Sequence, residues 1–165
     1  MGRWILFLCL LGIDIGTKIF ALHSIPALHW GGYPFGGVPL FENFLGVSFS
    51  LNLVMNTGAA WGFFQGHPGI LFLIRFGLIL GFGIYFFFFR RQVLKTLPFI
   101  LIGVGSVGNA IDYLAYGHVV DFFHFVLWGY SFPIFNVADA CITLGAMGLI
   151  LQGRKGDASS ISITK

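Results

Sequence analysis

Two aspartates delimit a short aromatic segment of this chain. The segment, GHVVDFFHFVLWGYSFPIFNVAD, covers residues 117–139 and carries Asp121 near its start and Asp139 at its end, although the whole chain of 165 residues has only six carboxylate side chains. Two carboxylates that converge in a partly dry site do not both stay ionised. A protonated acid beside a carboxylate can activate water and protonate a leaving amide, as in aspartic proteases. The alternative is that each carboxylate separately caps a helix end.

Further polar residues occur in pairs three or four positions apart inside apolar stretches. Such spacing places both members of a pair on one helix face. An ionisable side chain within a membrane-spanning helix costs roughly 2.5 to 3.5 kcal/mol, so each pair is a candidate functional group or an ion pair that orients its helix. The pairs are Asp14 and Lys18, Asn109 and Asp112, and Asn136 and Asp139.

Two other kinds of chemistry are compatible with the sequence. His118, Asp121 and His124 supply two imidazoles and a carboxylate that could hold a metal ion, although their spacing suits a helix face better than a strand. Asp14, Lys18 and Asp112 could instead form the proton relay of a small membrane carrier. A relay predicts polar residues as far as the cytoplasmic helix ends, where the sequence is apolar and rich in glycine.

The composition is that of a membrane protein. Hydrophobic residues make up 57% of the chain and charged residues 9%, against about 25% charged residues in ordinary soluble domains. The net charge of +3 comes from short basic clusters between apolar runs. Such clusters mark the orientation of membrane helices, so we expect no nucleic-acid partner. Cys9 and Cys141 both lie in apolar segments and are expected to act as small hydrophobic residues.

Four stretches are long enough to cross the bilayer as helices. We therefore predict a polytopic α-helical membrane protein with a single domain over residues 1–152, an uncleaved first helix and a disordered tail over 153–165. Six of the nine Lys and Arg residues flank the predicted helices on one side, while residues 23–67 and 117–134 contain no Lys or Arg; the six are Arg3, Arg90, Arg91, Lys95, Arg154 and Lys155. Both termini are thus predicted to be cytoplasmic. The predicted spans are residues 4–22, 68–89, 97–116 and 135–151.

The outer loop over residues 24–67 contains a predicted strand. In VSFSLNLVMN, residues 47–56, the odd positions are apolar and most even positions are polar, which predicts a strand with one buried face. A partner hairpin is predicted in residues 125–132, with Trp128 and Gly129 in its turn. Gly117 is expected to end the third helix, so that Asp121 follows on an extended segment. A small sheet should therefore lie over the outer helix ends, close to the polar pairs.

The polar residues occur in motifs that resemble the bacterial lipoprotein signal peptidases, also called signal peptidase II. Four blocks follow the order of that family over nearly the whole chain: DIGTK at 14–18, NTGAAWG at 56–62, GNAIDYLAYGHVVDF at 108–122 and FNVADACI at 135–142. The resemblance implies an inner-membrane aspartic peptidase with four helices and an outer β-cradle. Such an enzyme removes signal peptides from lipoprotein precursors and has its active site toward the periplasm.

The resemblance also implies roles for individual residues. Asp121 and Asp139 match the catalytic pair, and no metal or other cofactor is implied. One position departs from the family, since Tyr113 stands where an arginine is usual and can donate one hydrogen bond but carries no charge. The implied partners are diacylglyceryl-modified precursors, membrane lipids and inhibitors of the globomycin type, and we expect a monomer. The implied supporting residues are Asp14, Lys18, Asn56, Asn109, Asp112 and Asn136.

Overall fold

The computed structural model describes residues 2–27, 37–57 and 97–161, together with six positions between 73 and 88. Residues 2–27, 37–57 and 97–161 form three helices and a four-stranded antiparallel sheet in which each strand pairs with the next one along the chain. The elements, in chain order, are α1 (Gly2–Ser24), β1 (Val38–Phe44), β2 (Val47–Asn56), α2 (Leu97–Tyr116), β3 (Val119–Leu127), β4 (Tyr130–Ser131) and α3 (Val137–Ile161).

Two of the described helices, α1 and α2, are long and apolar enough to cross a membrane, and the apolar part of α3, Val137–Gln152, is shorter. The predicted spans 4–22 and 97–116 correspond to α1 and α2. Most of the predicted span 68–89 lies outside the described residues, so the prediction of four spanning helices stays a prediction. The described positions in that span are all helical; they are Leu73, Gly77, Leu80, Gly81, Ile84 and Phe88.

Helix α1 buries the charged pair of its second half and exposes many of its large apolar side chains. Its buried residues are Asp14, Lys18 and Ala21, whereas large apolar side chains such as Trp4 and Leu8 are exposed. A soluble protein shows the opposite arrangement, because water favours charge at the surface. In lipid, charged side chains turn to the protein interior and apolar ones face the acyl chains. The exposure pattern of α1 therefore agrees with a membrane-spanning helix.

Helix α2 ends where the sequence predicts. The Gly117 N–H donates to the Tyr113 carbonyl at 2.9 Å, and Gly117 has φ of +74°, a left-handed conformation that glycine adopts without steric cost. Strand β3 begins two residues later, at Val119. The predicted extended segment after Gly117 is thereby confirmed, and it carries Asp121 back over the helix ends.

Helix α3 differs from the predicted span 135–151 at both ends. It begins two residues later because Phe135 exchanges backbone hydrogen bonds with Phe123 of β3, at 2.8 and 3.1 Å. It also continues past Leu151 to Ile161. Residues 153–161 of the tail that was predicted to be disordered are therefore helical. No proline interrupts residues 152–161, and nothing else in that stretch forces the helix to stop.

Helices α2 and α3 approach closely through glycines. A methyl group at Gly105 would overlap the Ala138 carbonyl oxygen, and one at Gly145 would lie only 2.5 Å from the Pro98 carbonyl oxygen. Small residues at a helix crossing let two backbones come together, as in other membrane helix pairs. This contact brings Asn109 of α2 and Asp139 of α3 within reach of each other.

The sheet is joined to the end of α1 by a small apolar core. Strand β2 has the predicted bounds, but its predicted buried face is wrong: Ser50 and Asn52 are buried, whereas Met55 is 56% exposed. The physical reason is a bulge after Leu51, together with a hydrogen bond between the two buried side chains, from Asn52 Nδ2 to Ser50 Oγ. The core residues are Ala21, Ile25, Leu53, Val120 and Phe122.

The predicted hairpin between β3 and β4 is confirmed. Trp128 and Gly129 have φ of 48° and 83°, as a two-residue turn that matches the twist of antiparallel strands requires. The Trp128 N–H also donates to the Gly46 carbonyl at 2.7 Å. That bond joins the turn between β3 and β4 to the turn between β1 and β2 at the same end of the sheet.

Candidate active site

Lys18 is the centre of a buried ion cluster. Its Nζ lies 2.8 Å from Asp14 Oδ2 and 2.8 Å from Asp112 Oδ2, and it donates to Asn109 Oδ1 at 3.0 Å. The Lys18 side chain is only 2% exposed, so these contacts replace the water that an ammonium group would otherwise bind. The cluster joins α1 to α2 and contains two of the pairs that the spacing indicates, Asp14 with Lys18 and Asn109 with Asp112.

The two carboxylates of the ion cluster also hold the elements that carry Asp121 and Asp139. Asp14 Oδ1 accepts from the backbone N–H of Ala138 at 2.8 Å, in the first turn of α3. Asp112 Oδ2 accepts from the backbone N–H of Val120 at 3.1 Å, next to Asp121 in β3. One lysine with its two acidic partners thus fixes both the helix end and the strand.

The side-chain amide of Asn109 has its orientation fixed by Lys18. An ammonium group can only donate hydrogen bonds, so the oxygen of the Asn109 amide must face Lys18 Nζ. The NH2 group then points the other way and donates to Asp139 Oδ1 at 2.8 Å. Lys18 thereby directs a hydrogen-bond donor onto Asp139 without touching it.

The side-chain amide of Asn136 is fixed in the same manner by a helix end. Asn136 is the N-cap of α3, and its Oδ1 accepts from the backbone N–H of Asp139 at 2.8 Å. Because a backbone N–H can only donate, the NH2 group of Asn136 faces the other side, where it donates to Asp121 Oδ1 at 2.7 Å. A single asparagine thus connects the Asp121 carboxylate to the backbone of Asp139.

Asn56, at the end of β2, also forms a hydrogen bond with Asp121. Its Nδ2 donates to Asp121 Oδ2 at 2.7 Å, so both carboxylate oxygens of Asp121 accept from amide groups. Asp121 is only 1% exposed, whereas Asp139 is half-buried. Amide donors on both oxygens stabilise the ionised form of a carboxyl group.

The structure brings all eight predicted site residues into one hydrogen-bonded network. The alternative of two separate helix caps is wrong for Asp121, which lies within β3 and not at a helix end. Asp139 is in the first turn of α3. The predicted residues in the network are Asp14, Lys18, Asn56, Asn109, Asp112, Asp121, Asn136 and Asp139.

The alternative metal site at His118, Asp121 and His124 does not form. Residues three apart on a strand point to opposite faces, and β3 is a strand over both Asp121 and His124. Within residues 2–27, 37–57 and 97–161, no three His, Cys, Asp or Glu side chains are arranged to hold a metal ion. The geometry thus disagrees with a metallopeptidase that uses these three residues.

His124 belongs instead to a second buried network, which the sequence pattern did not indicate. Asn52 Nδ2 donates to His124 Nδ1 at 3.2 Å and to Ser50 Oγ at 2.7 Å, which leaves the ring hydrogen on Nε2 to donate to Ser131 Oγ at 2.8 Å. Burial lowers the pKa of the His124 imidazole below its usual value, so the ring stays neutral and Nδ1 remains an acceptor. Polar residues at alternate strand positions are more typical of a solvent face.

Comparisons with known proteins agree with this architecture. The model of the family described as signal peptidase (SPase) II matches residues 6–154. The lipoprotein signal peptidase of Gloeothece citriformis is 35% identical over 160 residues, which cover 95% of this chain and 91% of that protein. The lipoprotein signal peptidase of Chlamydia pneumoniae is 42% identical over 107 residues, which cover 64% of each chain. The match therefore spans just under two thirds of the Chlamydia protein.

Solved structures resemble the chain over almost its full length. One bacterial membrane enzyme determined by the in meso method has a TM-score of 0.74 and 26% identity, covering 96% of this chain and 90% of that one. A second such structure has a TM-score of 0.68 and 27% identity, covering 92% and 91%. Together with the family match over residues 6–154, these similarities establish that the chain belongs to the signal peptidase II family.

Proposed function

We propose that this chain is a membrane aspartic endopeptidase that removes signal peptides from diacylglyceryl-modified lipoprotein precursors, cleaving before the lipidated cysteine. One observation carries the proposal: Asp121 and Asp139 are linked through Asn136 and each accepts a hydrogen bond from an oriented side-chain amide. Fixed donors around two acids hold them in place before substrate arrives. Family membership supports the same function.

The hydrogen bonds support different roles for the two acids. Asp121 accepts amide donors on both oxygens, which favours the carboxylate, so we assign it as the base that takes a proton from water. The water then attacks the scissile carbonyl, and Asp139 donates its proton to the leaving amine as the intermediate collapses. Asp139 is the more exposed of the two, so this acid has room to meet a departing group.

The exposed apolar surface of the helices supports a substrate path through the lipid. A diacylglyceryl group would remain in the bilayer while the scissile bond meets the polar layer at the end of α1 that adjoins the sheet. The distribution of basic residues supports cytoplasmic termini and an active site toward the periplasmic side of the inner membrane. We further propose that residues 1–152 form a single peptidase domain and that the enzyme acts as a monomer.

Selective cleavage of a lipidated precursor is the direct test of this function. Purified protein in detergent should cleave a diacylated precursor peptide immediately before the modified cysteine, and should leave the unlipidated peptide of the same sequence intact. Mass spectrometry of the products identifies the bond. Equal cleavage of both peptides, or cleavage elsewhere, would show that the lipid is not recognised as proposed.

Metal chelation should leave the enzyme active. The proposed chemistry needs two carboxyl groups and water, and His118, Asp121 and His124 do not converge. Cleavage rates of the diacylated peptide should therefore stay within about twofold of the control in excess EDTA. An activity that disappears with chelator and returns with zinc would restore the metallopeptidase alternative, with ligands other than these three.

A further inference from the structure

The bulge in β2 decides which face of the sheet Asn56 occupies. Leu51 pairs with Phe123 and Val54 pairs with Asp121, so β2 advances three residues while β3 advances two. The extra residue reverses the alternation of side chains along the rest of β2. Without it, Met55 would share the face of Asp121 and Asn56 would point away from it.

The second buried network lies at this bulge. Asn52 is one of the two residues opposite Phe122, and its amide is held by Ser50 Oγ at 2.7 Å and His124 Nδ1 at 3.2 Å. All three polar residues are at most 3% exposed, so water cannot replace these bonds at low cost. His124 comes from β3, and its ring therefore connects the bulged strand to the strand that carries Asp121.

We propose that His124 is a positioning residue for catalysis: by holding Asn52 in the β2 bulge, it keeps Asn56 on the face of the sheet where Asn56 donates to Asp121. The expected effect of His124 on turnover rests on the proposed function. The claim that His124 fixes the register of β2 does not depend on that function. The His124 ring points to the opposite face of β3 from Asp121 and acts on it only through the register of β2. Its loss therefore lowers kcat and leaves KM nearly unchanged.

A double-mutant cycle tests the coupling. Asn56→Ala removes a hydrogen bond to a charged group and should lower kcat by roughly 10- to 100-fold. His124→Ala and Asn52→Ala should each lower kcat by about tenfold in the native background, but by less than about twofold in the Asn56→Ala background. If His124→Ala or Asn52→Ala does not fold, Ser50→Ala replaces it in the cycle. Ser50→Ala removes only one hydroxyl from the same network, and its effect on kcat is again compared between the native and Asn56→Ala backgrounds.

A matched control separates positioning from a general loosening of the sheet. Ser48→Ala removes another hydrogen bond of β2, from the Asn43 backbone N–H at 2.8 Å, and lies before the bulge. This variant should keep kcat within about twofold. Additive losses for His124→Ala and Asn56→Ala, or an equal loss for Ser48→Ala, would overturn the proposal.

A thiol-labelling measurement tests the register without using activity. In a Cys9→Ser background, the thiol introduced by Met55→Cys lies on an exposed position and should react readily with a water-soluble maleimide. Adding His124→Ala should slow that reaction several-fold, because the slipped strand turns residue 55 toward Asp121. Unchanged or faster labelling would overturn the inference. If the native protein fails to cleave the diacylated peptide, the proposed function fails while this measurement still decides the structural claim.

Discussion

Replacing either member of the acid pair by asparagine, as Asp121→Asn or Asp139→Asn, should abolish cleavage of the diacylated peptide. Asparagine has nearly the shape of aspartate but can neither take a proton from water nor donate one as an acid. Loss of general acid or base catalysis lowers rates by roughly 10²- to 10⁴-fold, so each variant should fall near the detection limit. The measurement is kcat with purified protein, alongside thermal unfolding in the same detergent.

Both variants should remain folded and should still bind a globomycin-type inhibitor, since removing one of the two carboxylates relieves repulsion. Asp121→Asn also sets an NH2 group against the amide donor of Asn56 or Asn136, so it should be the less stable of the two variants. The double variant should be no slower than either single one, since residues that act as a unit are not additive. Glu42→Gln is the matched control, because Glu42 is an exposed carboxylate on β1; it should keep normal turnover. Near-normal cleavage by either folded asparagine variant would refute the aspartic mechanism assigned to this pair.

Lys18→Met should destabilise the protein far more than either asparagine substitution in the acid pair. It keeps much of the side-chain volume but leaves Asp14 and Asp112 buried without the cation that both contact at 2.8 Å. Removing one partner of a buried ion pair costs about 3 to 5 kcal/mol, because the remaining charge is uncompensated. The apparent unfolding temperature in detergent should therefore fall steeply, and cleavage should be lost with it.

A second substitution distinguishes the loss of charge balance from the loss of packing. Asp112→Asn removes one of the stranded charges, and its side-chain oxygen can still accept from the Val120 N–H. In the Lys18→Met background it should recover part of the lost stability. A Lys18→Met protein that unfolds within a degree or two of the native one, or a double variant no more stable than Lys18→Met, would contradict the proposed ion cluster.

The sequence alone predicts that Asp14 and Lys18 share a face of α1, because their spacing is one helical turn and charge inside a membrane helix is costly. The ion pair between Lys18 and Asp112 was not predicted, since the sequence suggested a contact between them only in the alternative proton relay. Gly117 marked the end of α2, since a left-handed residue there stops a helix. The resemblance to the family motifs groups Asn56 with the aspartate pair, Asp121 and Asp139. The spacing of Asn56 in the sequence does not indicate which of the two carboxylates it binds.

The sheet was harder to predict because burial there does not follow hydrophobicity. Ser50 and Asn52 occupy buried positions that alternation assigns to solvent, and both side chains form hydrogen bonds with the His124 ring on a neighbouring strand. The local sequence of β2 favours the bulged and the regular register about equally. The contact that stabilises the bulged register joins Asn52 to His124, which is more than 70 positions away in the chain. Helix α3 also extends to Ile161, through a polar, serine-rich stretch that the sequence predicts to be disordered.

The ion cluster also bears on how the chain enters the membrane during synthesis. Asp14 and Lys18 lie one turn apart on α1, which precedes α2 in the chain, so they can neutralise each other as α1 enters the bilayer. Asp112 has no basic residue within α2, and α2 alone would take an unpaired carboxylate into lipid. Because α1 precedes α2, translation supplies the cation before the second acid that needs it, and we expect α1 to be in the bilayer before α2 buries Asp112.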